Sequence, residues 1–168
     1  MSKARFLAWF LIYFALLLVL WSFTPAAAWW QRLMLGIGGY VGAAVHGWIL
    51  EAGAGGRAYW VNGDARVPLA MQFEALSVGI VPTLALLLAT PESRWSRRAA
   101  QCVVAVLTLL LIHVLVIVLF PLLTYHKNAA TDVLGLFLGL VAFVGAPVII
   151  WFALTLDRQR QWLPALRR

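Results

Sequence analysis

Three side chains in this chain have the types from which a nucleophilic hydrolase is built: Ser77, His113 and Asp132. A serine hydroxyl attacks well only when a base within ~3 Å takes its proton, and that base needs a third group to orient it. Here the surrounding sequence argues against the triad. Ser77 stands in QFEALSVGI (72–80), which has no GxSxG elbow. If its helix starts at Ala75 at a membrane surface, Ser77 lies ~3 Å down, whereas His113 lies ~15 Å below the end of its own helix at Leu123.

Simpler roles account for each residue separately. Glu74 and Asp132 suit the starts of helices, where an acid faces the positive dipole end, and Thr131 or Asp132 can serve as a cap. Ser77 can bond within its helix. His113 suits a hydrogen bond between helices, and His46 and His126 suit a membrane interface. The three histidines and Glu51 show no metal-ligand spacing, so no metal or cofactor is expected. Cys102 is the single cysteine, which excludes an internal disulfide, and it reads as a small apolar packing residue.

The elements that carry these residues are apolar. Of 168 residues, 64% are hydrophobic and 11% charged, too little polar surface for a water-soluble domain of this length. Four stretches are long enough to cross ~30 Å of hydrocarbon: Phe6 to Phe23, Ala75 to Thr90, Ala99 to Leu123 and Val133 to Leu156. The first resembles a signal peptide, with Lys3 and Arg5 before it and Ala26-Ala27-Ala28 after it. Its 18 aromatic-rich residues and the further spans read instead as an uncleaved anchor.

A fifth apolar stretch, 33–50, repeats small residues at Gly39, Ala43 and Gly47, a face suited to close helix packing. Charge decides whether it spans. If it does not cross, one side of the membrane holds Lys3, Arg5, Arg94, Arg97, Arg98, Arg158, Arg160, Arg167 and Arg168. The other side holds Arg32, Arg57, Arg66 and Lys127. The positive-inside rule therefore predicts four spans with both termini cytoplasmic, and an embedded or interfacial helix at 33–50. The net charge of +7 is topological on this reading and does not imply nucleic-acid binding. Residues 57–70 contain Asn62-Gly63, a type I′ hairpin signal, and predict a small extracytoplasmic hairpin with Tyr59 and Trp60 as interface anchors. Pro82, Pro121 and Pro147 are expected to kink or end helices. The whole chain, 1–168, reads as one integral membrane domain.

The run from FEALSVGI through SRWSRRAAQ to LIHVLVIVLF resembles the core of the exosortase/archaeosortase family, over roughly residues 55 to 145. Members of that family are multi-spanning, cysteine-transpeptidase-like enzymes that process C-terminal sorting signals. The resemblance places LSVGI (76–80) on the family's A-C-S-G-[LI] motif, HVLV (113–116) on N-x-x-R and TDVLG (131–135) on H-x-x-x-G. Ser77 then stands for the cysteine, Val116 for the arginine and Thr131 for the histidine. Spacing and glycines are kept while all three catalytic types are lost. The resemblance thus implies a scaffold without the activity, similar to the small exosortase-associated membrane proteins such as those called exosortase H-associated.

The expectation is an all-α membrane protein of the inner membrane, with positions 77, 116 and 131 close together near the outer boundary. Glu74, Ser77, His113 and Asp132 would be contacts for a substrate or partner. The partners implied are membrane lipid and an active exosortase or its C-terminally tagged substrate. A Ser77-based hydrolase and a purely structural assembly module are the alternatives.

Overall fold

The computed structural model describes residues 3–52, 58–69, 79–91, 94–125 and 128–159. Within these, α1 spans Lys3–Phe23, α2 Ala26–His46, α3 Ile80–Ala89, α4 Trp95–Tyr125, α5 Ala129–Leu140 and α6 Ala146–Gln159. A one-turn π segment, Val141–Gly145, joins α5 to α6. Strands β1 (Ile49–Ala52), β2 (Ala58–Asn62) and β3 (Ala65–Pro68) form an antiparallel sheet in the order β1-β2-β3. The protein is mostly helical, and the sheet adds one strand, β1, to the small hairpin expected at 57–70.

Two helices are long and apolar enough to cross a membrane: α1, with mean hydropathy 2.4, and α4, with 3.2. α1 is apolar around its whole circumference and buries none of its residues. It lies along α3, which is 10 residues long. The span expected from Ala75 to Thr90 is helical from Ile80, and residues 70–78 lie outside the described residues. Pro82 sits in the first turn of α3, where the missing amide removes no intrahelical bond. Pro121, by contrast, lies inside α4 without ending it. The fourth expected span is one rod made of α5, the π segment and α6, with the Ala146 amide reaching back to Val141 O across the insertion.

The fifth element differs most from expectation. The helix predicted at 33–50 begins at Ala26 and stops at His46, and residues 49 and 50 belong to β1. Gly47 is the reason it stops. This residue takes φ +73°, the left-handed conformation that ends helices, and its amide caps Ala43 O. The buried face of α2 is Trp30, Met34, Gly38 and Gly42, one residue out of step with the predicted Gly39, Ala43 and Gly47. Gly39 turns towards Leu50, Ala43 is exposed, and Gly47 is a cap.

The hairpin at 58–68 is present, and its turn is Gly63-Asp64, with Asn62 paired to Ala65. Gly63 has φ +57° and no other turn residue has positive φ, the sign pattern of a type II′ turn. Cross-strand partners Leu50, Trp60 and Val67 share the face turned to the helices. On the opposite face Arg66 lies over the Tyr59 ring and donates to Glu51 at 2.9 Å. Trp60 is therefore no interface anchor, being 0% exposed and packed in the core with Met34, Leu109 and Ile117.

Candidate functional site

His113 sits at the centre of the helical assembly, wholly buried on α4. Trp30 of α2 meets its ring edge-on, with centroids 6.1 Å apart and an interplanar angle of 81°. Gly79, just ahead of α3, closes another side. A Cβ there would lie 3.9 Å from His113 Nε2 and 3.6 Å from Pro147 Cγ of α6. Four elements thus meet around one imidazole.

This placement removes one reason for separating Ser77 from His113. Their expected difference in depth rests on a helix beginning near Ala75 at the surface. The described part of that helix begins instead at Ile80, with Gly79 beside His113. Ser77 itself, like Glu74, lies outside the described residues.

Asp132 does not join His113. Gln101 Nε2 donates to Leu154 O at 2.7 Å, so α6 returns alongside the start of α4 and the α5–α6 rod runs antiparallel to it. His113 then lies ~18 Å before Tyr125 along α4, whereas Asp132 lies only ~6 Å beyond the start of α5. Asp132 is exposed in the first turn of α5. It is not the cap. Asn128 is, accepting from Thr131 N at 2.9 Å, while Thr131 Oγ1 accepts from Asn128 N at 2.9 Å.

The positions that the resemblance aligns with catalytic residues have other work. Val116 is buried on α4, and Thr131 is committed to the capping box. By the same axial rise they differ in depth by ~9 Å. No group of three or more metal-binding side chains occurs among the described residues. Cys102 is half-buried against the core, in keeping with a packing role.

Two features escaped the sequence reading. His46 bridges three elements: its Nδ1 accepts from the Trp48 amide at 3.2 Å, which leaves Nε2 to donate to Val118 O at 3.1 Å. Its ring also meets Trp60 edge-on at 5.2 Å. Pro121 lacks the amide that would bond Ile117 O, so α4 is weakened just where His46 grips the adjacent carbonyl. The second feature is a cleft of about 400 Å³ between α2 and β1, floored by Gly36 and Gly39 and rimmed by Tyr40, Leu50 and Glu51. The glycine pair Gly36 and Gly39 was visible in the sequence, but its partner strand was not.

What the fold defines at this point is a helical protein with two membrane-length helices, a buried histidine and a small sheet packed on one end. The chain matches no family model, no curated protein and no solved structure at a significant level.

Proposed function

We propose that this is a multi-pass inner-membrane protein with four spans, exosortase-like in architecture, that binds a partner without catalysing its processing. The partner is an active sorting enzyme or its C-terminally tagged substrate, held at the outer face. The observation that carries the reading is the employment of two aligned positions in structure. Val116 is packed in the core, and Thr131 is tied into a helix cap, so neither can stabilise an oxyanion or shuttle a proton.

The threonines meet a requirement of membrane embedding, since they are satisfied without water. Thr24, Thr83, Thr90, Thr108, Thr124 and Thr155 each donate to the carbonyl four residues earlier, at 2.6 to 2.8 Å. A hydroxyl in hydrocarbon has no water to bond, and this local bond satisfies it. The cleft between α2 and β1 gives the partner a place, with an apolar floor beside the Glu51–Arg66 pair.

The test is recovery from gently solubilised membranes with a photo-crosslinking residue at Tyr40, which is 81% exposed on the cleft rim. Crosslinks to a sorting enzyme or a tailed substrate are expected. Repeated recovery of this chain alone refutes the role.

A second reading is favoured by the placement of Gly79, where an added Cβ would lie 3.9 Å from His113 Nε2: a hydrolase using Ser77 with His113 as base. Labelling by a serine-directed probe, abolished in both Ser77→Ala and His113→Ala, would establish it over the first. Absence of labelling in the wild-type protein removes it.

A further inference from the structure

The charges of this chain are segregated, and the structure shows where they gather. Phe6 meets Trp151 at 6.0 Å between ring centroids, Trp151 Nε1 donates to Thr90 Oγ1 at 2.9 Å, and Arg98 Nη2 donates to Thr90 O at 3.1 Å. These contacts assemble the start of α1, the end of α3, the start of α4 and the body of α6 at one end of the bundle. Lys3, Arg5, Arg94 and Arg97 stand exposed there, and Arg98 is half-buried.

In the sequence the asymmetry is complete. Stretches 1–5, 91–98 and 157–168 hold nine basic residues and two acidic ones, Glu92 and Asp157. The rest of the chain holds four basic and four acidic residues, so the formal net charge of +7 belongs entirely to those three stretches. Setting topology needs only an excess of a few cations. Among the described residues this end carries five cations, Lys3, Arg5, Arg94, Arg97 and Arg98, together with an aromatic placed for the headgroup layer. Trp95 is 75% exposed, and Arg98 lies over its ring at 4.9 Å while donating to Thr90 O. A guanidinium held at one face by the Trp95 ring and at one edge by Thr90 O is fixed in place at this end rather than free to sweep through solvent.

We propose that this end binds acidic phospholipid headgroups of the leaflet it faces, in preference to zwitterionic ones. The inference rests on the membrane reading above. Each cation near an anionic lipid surface strengthens attraction about fivefold, and the effect decays within a Debye length.

The experiment titrates detergent-solubilised protein with phosphatidylglycerol or phosphatidylcholine and counts bound lipid by native mass spectrometry. Phosphatidylglycerol is expected to bind at least ~25-fold more tightly, the equivalent of two cations at that factor. Joint replacement Lys3→Gln, Arg94→Gln and Arg97→Gln should weaken phosphatidylglycerol on the order of 100-fold. The control Arg32→Gln with Lys127→Gln should leave it unchanged. Equal binding of the two lipids, an equal loss in the control, or competition by free glycerol phosphate as effective as by the lipid would each overturn the proposal. Carbonate extraction separates the two readings. Protein released into the supernatant refutes membrane embedding, whereas protein kept in the pellet without lipid preference refutes this proposal alone.

Discussion

The tightest glycine contact among the described residues is between Gly42 of α2 and the ring of Trp60, and its substitution gives the sharpest test of how sheet and helices lock together. A Cβ at position 42 would stand 2.8 Å from Trp60 Cζ3, nearer still to Cη2, and 3.2 Å from His46 Cε1. The ring is 0% exposed and cannot swing away, so α2 or the sheet must shift. Overpacking of this kind costs ~1–3 kcal/mol, and a rigid aromatic places it towards the upper end. Alanine in place of a mid-helix glycine returns ~1 kcal/mol. Gly42→Ala should therefore destabilise by about 1–2 kcal/mol net.

Two comparisons isolate the cause. Gly36 lies on the same helix, and a Cβ there meets nothing within 4 Å, so Gly36→Ala should stabilise by up to ~1 kcal/mol. Trp60→Phe deletes the ring atoms that clash, and Trp60 Nε1 has no hydrogen-bond partner to lose among the described residues. In that background Gly42→Ala should stabilise by up to ~1 kcal/mol, a coupling of ~2–3 kcal/mol in a double-mutant cycle. Equilibrium unfolding in mixed micelles with rising SDS, followed by far-UV circular dichroism, measures each of these proteins. A Gly42→Ala protein as stable as wild type, or one whose loss persists in the Trp60→Phe background, would show that the contact does not limit the packing.

Other perturbations follow from the same contacts. His46→Ala removes the donor to Val118 O and the acceptor of the Trp48 amide, and should cost ~2 kcal/mol by the same unfolding assay. Asn128→Ala removes the α5 cap and should cost ~1 kcal/mol while leaving partner capture intact, since Asn128 and Thr131 are structural. Trp151→Phe deletes the donor to Thr90 Oγ1 and should cost ~1 kcal/mol, with faster hydrogen exchange at the α3–α6 contact as the local readout.

The long apolar helices are legible in the sequence because their apolar runs are long and unbroken by charge: α1 and α4 enclose their predicted spans and extend a few residues beyond. What is not legible turns on short signals inside apolar runs. Ile49-Leu50-Glu51-Ala52 follows an apolar helix and reads as its continuation, yet Gly47 stops that helix and frees the segment to pair with β2. Gly38-Gly39 is ambiguous by itself, since each glycine begins a four-residue spacing. The bulky residues Trp30 and Met34, in step with Gly38 and Gly42, settle which face is inward. The tryptophans mislead as well. Trp60 has the composition of an interface anchor, but its register opposite Leu50 and Val67 turns it to the core. Of the candidate site, His113 is legible as a residue buried in a span. The approach of Gly79 is not, because the second helix reads as starting at its first apolar residue.

The two ends of the molecule divide its tasks. One is held by Thr90, Trp151 and Arg98 and presents Lys3, Arg5, Arg94 and Arg97 among the described residues. The other carries the sheet, the His46 bridge and the cleft over Gly36 and Gly39. On the binding role proposed above, selection at that cleft, lined mostly by apolar residues, would come from shape and short-range contacts. That argues for an apolar or extended segment laid between α2 and β1 rather than a charged one. It also makes rigidity at that end matter, because a cleft selects by shape only if its walls keep their distance. Gly42 against Trp60 and His46 against Val118 are the contacts that set it. Loosening either should broaden what the cleft accepts before it unfolds the bundle.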